Sequence, residues 1–255
     1  MVEKNYLTRG EQEIWEYIQN KGIIDNELVK DIFPEMPQNK RNKLLHSLCK
    51  KGYIKRTRKD TYITGNLNSF HELALKIRPG YIGLSSALRD YNLLDYEDFT
   101  IFVMTKDFQK KMRLKGTKYS LEFVPLGSLF TGYEKNENII ISSIEKTLFD
   151  CFLKPQLVGF TNITKALYDA KIDWEKFISF FKMTKNNSLC QRTGYMLEMM
   201  KKTKLKVPSF VFEFLQSKVK NPVKLAPSRA KSTFNKKWKI QDSLGEKHIL
   251  SWWYQ

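Results

Sequence analysis

Cysteine and histidine are scarce in this chain, three of each in 255 residues, and neither type clusters. Cys49, Cys151 and Cys190 stand far apart in apolar, helical surroundings, so no C-x-x-C pair offers a zinc or redox site. They read as reduced core residues of a cytoplasmic protein. His46, His71 and His248 are equally dispersed, which argues against a histidine metal site. Long apolar runs are missing too. No run approaches the roughly 20 residues of a membrane-spanning helix, and Met1-Val2-Glu3-Lys4-Asn5 has no signal-peptide apolar segment. Acids are in deficit, 27 against 44 Lys and Arg, a net charge of +17. That balance suits a nucleic-acid partner better than a membrane surface.

Catalytic signatures are largely missing as well. The chain has neither G-x-G-x-x-G nor G-x-x-x-x-G-K-[ST], so no dinucleotide or phosphate loop is expected. Gly83-Leu84-Ser85-Ser86-Ala87 distantly resembles a nucleophile elbow, but a serine capping the next helix explains it better. A nuclease needs converging carboxylates to hold its cation. Asp95, Glu97 and Asp98 fall in an expected surface turn, and Glu145 and Asp150 sit five residues apart on different helix faces. There is no E-x-K, and the one D-x-K, Asp169-Ala170-Lys171, falls at a helix end. No catalytic residue, metal or cofactor is therefore expected, and the chain does not read as an enzyme. At the C-terminus, Phe234 and Trp238 alternate with Lys236, Lys237 and Lys239. Such aromatics can stack on single-stranded bases, but packing in a core is the favoured reading.

What the chain does have is an ordered module from Leu7 to Ile63. Thr8-Arg9-Gly10-Glu11 is a capping-box pattern. Ile14, Trp15 and Ile18 follow at helical spacing, and Gly22 stops the run. A second short helix follows Asp25, carries Leu28, Val29 and Ile32, and is closed by Pro34 and Pro37. A third, roughly Gln38 to Lys50, carries Leu44, Leu45 and Leu48 and ends at Gly52. Tyr53-Ile54, a basic tip Lys55–Asp60 and Thr61-Tyr62-Ile63 then read as a β-hairpin. Helix, helix, helix, basic hairpin is the order of a winged helix-turn-helix.

Charge concentrates on the same module. Between Gln38 and Asp60 there are nine Lys or Arg and one acid, Asp60. Gln38, Asn39, Lys40, Arg41 and Lys43 are expected to face outward from the third helix. Lys55, Arg56, Arg58 and Lys59 are expected at the hairpin. Arg can bond guanine bidentately, Asn or Gln can bond adenine, and Lys neutralises phosphate. These nine residues are the candidate DNA-binding set.

The whole chain reads as α+β, with residues 1–64 as the winged helix-turn-helix and residues 65–255 as a larger α+β domain. Helices are expected at Ser69–Arg78 and repeatedly from Ser143 onward, and the segment Tyr81-Ile82-Gly83-Leu84-Ser85-Ser86-Ala87-Leu88 is expected to lead into a short helix through Tyr91. Strands are expected at Phe99–Met104, Tyr119–Val124 and Asn138–Ile141. Phe234–Ile240 is expected as a late strand rejoining the sheet.

With these segments in order, the chain resembles the AbiEi family of transcriptional regulators, the antitoxins of abortive-infection toxin–antitoxin pairs. The resemblance rests on the basic hairpin after Gly52-Tyr53-Ile54 and on Tyr81-Ile82-Gly83-Leu84-Ser85-Ser86-Ala87-Leu88. It rests most on Ile141-Ser142-Ser143-Ile144-Glu145-Lys146-Thr147-Leu148-Phe149-Asp150 with Lys154-Pro155 and Gly159, similar to the family's E-K-[AT]-L-x-D stretch. Thr193-Gly194-Tyr195-Met196-Leu197-Glu198 is similar to its late Leu-Gly-x-Leu-Leu-Glu helix. Arg58-Lys59-Asp60-Thr61-Tyr62 departs from it by lacking the hairpin glycine. The resemblance implies a repressor of its own operon that binds double-stranded DNA at an inverted repeat, two copies per operator. It also implies a nucleotidyltransferase-like toxin as functional partner, opposed without a stable complex. The alternative reading is a winged-helix-targeted nucleic-acid-processing enzyme with a divergent active site in the C-terminal half.

Overall fold

The computed structural model describes residues 6–96, 98–228 and 230–254. Glu97 of the acidic turn and the Met1–Asn5 stretch lie outside the described residues. The first helix, α1 (Arg9–Ile18), begins where the capping box places it: the Thr8 N–H donates to Glu11 Oε2 at 2.6 Å. A short strand, β1 (Ile23–Asp25), follows, and Asp25 then caps α2 (Asn26–Ile32) by accepting from the Leu28 N–H at 2.9 Å. Pro37 opens α3 (Gln38–Lys50), because its fixed φ suits a helix start and its carbonyl receives the Lys40 and Arg41 N–H groups. Strands β2 (Lys55–Arg58) and β3 (Thr61–Ile63) form the hairpin, and α4 (Phe70–Ile77) follows, capped by Ser69.

The three strands form one antiparallel sheet in the order β1-β3-β2. Ile23 pairs with Ile63 and Ile24 with Tyr62; on the other side Lys55 pairs with Ile63 and Arg56 with Tyr62. The sheet and helices enclose Ile14, Ile18, Ile24, Val29, Leu45, Leu48, Ile54 and Tyr62. Each such aliphatic side chain withdrawn from water contributes about 1.5–3 kcal/mol. Two expectations are corrected. The basic run Lys55–Arg58 is itself a strand, leaving Lys59-Asp60 as the turn, and Asp60 adopts φ +56°, which aspartate tolerates better than most. A third strand, β1, also precedes α2.

Beyond α4 come β4 (Tyr81–Ile82), α5 (Leu84–Asp90), β5 (Thr100–Thr105), β6 (Lys110–Arg113), β7 (Ser120–Pro125), β8 (Tyr133–Asn136) and β9 (Ile139–Ser142). The helical half follows with α6 (Ile144–Leu153), α7 (Pro155–Val158), α8 (Phe160–Asp169), α9 (Trp174–Lys182), α10 (Asn187–Met199) and α11 (Ser209–Ser217). Strands β10 (Val223–Lys224), β11 (Thr233–Asn235) and β12 (Ile240–Asp242) and the short α12 (Glu246–Ile249) end the described fold. The chain is thus α+β.

The chain divides into two compact units. The first runs through Pro79 and takes in Phe99–Ile101 and Lys110–Glu122. The second comprises Gly80–Asp98, Phe102–Gln109 and the chain from Phe123 on. The break read at residues 64/65 falls between β3 and α4, whereas the compact first unit continues to Pro79 and takes in β6 and the start of β7.

In the second unit β4 pairs antiparallel with β5 and parallel with β9, and β8 pairs antiparallel with β9. One core joins Tyr81, Leu84, Leu88, Phe102, Leu148, Phe149, Phe177, Phe181 and Trp238. The expected late strand Phe234–Ile240 is corrected: it bends into β11 and β12 of a separate three-stranded sheet, order β10-β12-β11. Trp238, between those strands, is fully buried and donates from Nε1 to Glu198 Oε2 at 2.8 Å. Gly194 exists to admit it, since a Cβ there would lie 2.1 Å from the Trp238 ring. Trp238 therefore fills a core, as favoured, whereas Phe234 is 52% exposed.

Candidate nucleic-acid interface

On α3 the residues at positions 41, 44, 45 and 48 follow helical spacing and face inward. Leu45 and Leu48 are fully buried, Leu44 is half-buried, and Arg41 is 8% exposed. Arg41 thus takes an apolar place in the stripe. Its Nη1 donates to the Met36 carbonyl in the turn between α2 and α3, and its buried Nε has no partner among the described residues. This corrects the expectation that Arg41 faces outward: a guanidinium committed to a main-chain carbonyl fixes the turn and does not read a base. The signal was in the sequence, because Arg41 lies three, four and seven residues before Leu44, Leu45 and Leu48.

The remaining candidates on this helix are placed as expected. Gln38, Asn39, Lys40 and Lys43 are exposed. Asn39, Lys43, His46 and Lys50 recur at spacings of four, three and four, so they form a single exposed stripe with Asn42 beside it. Asn42 and His46 escape a reading that weighs only the first turn and charge.

The helix is held by a buried carboxylate. Glu11 of α1 is 3% exposed and accepts from the Ser47 hydroxyl, from Lys51 Nζ at 2.6 Å and from the Thr8 N–H. Burial works against its charge, but the bonds from Lys51, Ser47 and Thr8 prevail and hold its pKa down at about 2. Lys51 is thereby spent inside the module, unlike Lys50 beside it.

The hairpin carries the rest of the set. Lys55, Arg56 and Lys59 are exposed and Arg58 is half-buried. Register slips between Arg56 and Arg58, so Thr57 is an inward bulge residue, 1% exposed. Arg56 Nε donates to the Arg58 carbonyl at 3.2 Å, and its guanidinium lies 6.0 Å from the Tyr62 ring. Eight of the nine candidates therefore have solvent access on α3 and the hairpin of one compact unit.

The second unit's candidates for chemistry are otherwise engaged. Ser85 is fully buried and donates to Asp98 at 3.1 Å; Asp95 pairs with Lys165 at 2.6 Å. Glu145 is 6% exposed, pairs with Lys176 at 3.0 Å and accepts from the Asp173 N–H. Lys146, next to it, was overlooked. It is fully buried, its ammonium bonds Asp150, and the Tyr81 hydroxyl donates to the other Asp150 oxygen at 3.0 Å. The rings of Tyr81, Phe149 and Phe180 surround the ammonium at 5.8, 5.1 and 5.9 Å. Burial pushes Asp150 up to about 6 against the pull of Lys146 and Tyr81, and it lowers Lys146. Two of the stretches behind the family resemblance meet here, Tyr81 from one, Lys146 and Asp150 from the other. Among the described residues no three His, Cys, Asp or Glu converge as a metal site, and no helix is long and apolar enough to cross a membrane.

No known family and no curated protein matches the chain. Its structure is similar to the crystal structure of the RV2827C protein from Mycobacterium tuberculosis. The likeness has a TM-score of 0.69 over 100% of this chain and 98% of that one, at 14% sequence identity. At that identity the likeness concerns the fold alone.

Proposed function

We propose that this chain is a sequence-specific double-stranded-DNA-binding regulator whose first unit is a winged helix-turn-helix. The observation that carries the reading is the exposed Asn39–Lys43–His46–Lys50 stripe of α3 on the same small sheet-and-helix unit as the exposed basic hairpin. A helix of about this length fits the major groove, where Asn and Lys meet base edges and phosphates, while the hairpin's Arg56 and Arg58 take the backbone. The AbiEi resemblance adds a biological role: an autorepressing antitoxin in the cytoplasm, acting on an inverted repeat as two copies, with a nucleotidyltransferase-like toxin as functional partner and no enzymatic activity of its own.

An electrophoretic shift with the duplex upstream of its own gene tests the DNA reading. Asn39→Ala with Lys43→Ala should weaken binding by about 1–3 kcal/mol for each base no longer read. Equal binding by wild type and variant would remove α3 from the interface. Expression beside the neighbouring gene tests the antitoxin role, which fails if no growth arrest is relieved. Divalent-dependent cleavage of labelled DNA or RNA by the purified protein would overturn the non-enzyme reading.

A further inference from the structure

The first unit holds a second basic hairpin that lies outside the nine candidate residues. From Lys110 to Lys118 the chain reads Lys-Lys-Met-Arg-Leu-Lys-Gly-Thr-Lys, five basic residues and no acid. Lys110, Lys111, Arg113, Lys115 and Lys118 are all exposed. This hairpin, β6 and the start of β7, belongs to the same compact unit as α3 and the β2–β3 hairpin.

Its turn is well built. The Leu114 N–H donates to the Tyr119 carbonyl, the Thr117 hydroxyl to the Leu114 carbonyl at 3.0 Å, and the Tyr119 N–H to Thr117 Oγ1 at 3.1 Å. Leu114 is fully buried, and Gly116 takes φ +69°, a conformation that glycine adopts without strain. Tyr119 packs on Phe70 of α4 at 4.2 Å and on Phe99 at 5.9 Å, which fixes the returning strand.

The two basic hairpins are also tied by their main chains. Thr57, the bulge residue between Arg56 and Arg58, has a carbonyl that β3 does not take up in regular register, and the Lys115 N–H donates to it at 3.0 Å. Lys115 is thereby fixed beside the two hairpin arginines. Lys111 is paired with Glu122 at 2.9 Å, and Lys118 lies 4.2 Å above the Phe99 ring. Of the other three, Arg113 and Lys115 lie nearest in the chain to the link with Thr57 and are the informative pair.

We propose that the Lys110–Lys118 hairpin is a second DNA-binding element that grips phosphates together with the β2–β3 hairpin, independently of sequence. The inference rests on the DNA-binding reading of the first unit and extends its footprint. A hairpin whose main chain is anchored to the β2–β3 hairpin would present its cations at lower ordering cost than a mobile segment, and they would release counterions on binding.

The test uses the full-length protein, a fluorescent 30-base-pair duplex of arbitrary sequence (about three helical turns) and a salt titration. Arg113→Ala with Lys115→Ala should lower the slope of log K against log salt by about 1.8, roughly 0.9 for each phosphate no longer neutralised. At low salt the affinity should fall at least about tenfold. Lys204→Ala with Lys206→Ala removes the same charge from exposed positions of the second unit and should leave the slope near wild type. The Lys115 main chain survives the substitution, so an unchanged melting temperature should accompany the weakened binding. A slope equal to wild type, or equal losses in the two double variants, would overturn the second element alone. Wild type that binds no duplex would overturn the DNA reading and this inference with it. Arg113→Glu with Lys115→Glu must deepen the loss, and a reversal variant that binds like wild type likewise overturns the proposal.

Discussion

Two of the buried carboxylates in this molecule, Glu11 and Asp150, each hold a lysine, and their pKa values shift in opposite directions. Glu11 accepts from three donors, and its partner Lys51 keeps 21% of its side chain in water. Asp150 accepts from two, and its partner Lys146 keeps none. Burial opposes ionisation at both sites. At Glu11 the donors win and hold the group at about 2; at Asp150 burial wins and pushes it up to about 6. An ion pair with water access to its cation can tie two helices together cheaply, whereas a sealed pair carries the desolvation cost of both charges. The first therefore stabilises its module more than the second stabilises its core. What the second does do is depend on each partner for the other's presence.

The largest expected effect breaks the sealed pair. Lys146→Met leaves Asp150 buried without its cation, and thermal unfolding should show a loss of about 3–5 kcal/mol. Lys146→Met with Asp150→Leu and Tyr81→Phe removes the charges and the hydroxyl together and should recover most of that loss. A triple variant no better than the single one would show that the pair is worth more than its desolvation cost.

Next in size is Glu11→Gln, which weakens three charge-assisted bonds and should cost about 1.5–3 kcal/mol. The pH dependences of the two sites have opposite signs. Glu11 has a folded value below its usual 4.5, so its contribution is complete above 4.5 and is lost as pH falls toward about 2. Asp150 has a folded value above its usual 3.8, so its contribution is complete below 3.8 and is lost as pH rises through about 6. Urea unfolding between pH 2 and pH 7 should therefore lose its acid limb in Glu11→Gln. In Asp150→Asn the decline between pH 3.8 and about 6 should flatten. Parallel curves for wild type and both variants would end the contrast.

Local patterns made part of this legible. The Thr8–Glu11 box, the Asp25 and Ser69 caps, and the leucine spacing of α3 act within a few residues, so the sequence displays them. The strands that went unread are short or polar. Ile23–Asp25 gains its conformation from Thr61–Ile63 far along the chain, whereas Lys110–Arg113 and Tyr133–Asn136 are charged edge strands without the apolar alternation that marks a strand. Trp238 alternates with lysines as a strand residue would, yet its place is decided by the gap at Gly194. Lys146 was invisible for the same reason, since a lysine in a helix reads as solvated unless Tyr81 and Phe180 are known to close over it. At the candidate interface, residue types were readable and orientation was partly so. The link from Lys115 to Thr57 joins positions 58 residues apart and leaves no local trace.

The smallest expected effect on stability separates two neighbours on α3. Arg41 and Lys43 look alike in a charge count, but one is 8% exposed and bonded to the Met36 carbonyl while the other is exposed. Lys43→Ala should change stability by no more than about 0.5 kcal/mol. It should still weaken operator binding, by about 1–3 kcal/mol if it meets a base. Arg41→Met keeps the buried stem, drops the bond to Met36 and leaves that carbonyl facing the apolar stripe, for about 1–3 kcal/mol of stability. Its effect on DNA should follow only the fraction folded, so binding per folded molecule stays at the wild-type level. Melting curves and shift assays on the same two preparations decide the matter. Arg41→Met that remains fully folded yet loses binding would return Arg41 to the interface, and would mean that α3 turns its leucine stripe partly toward DNA.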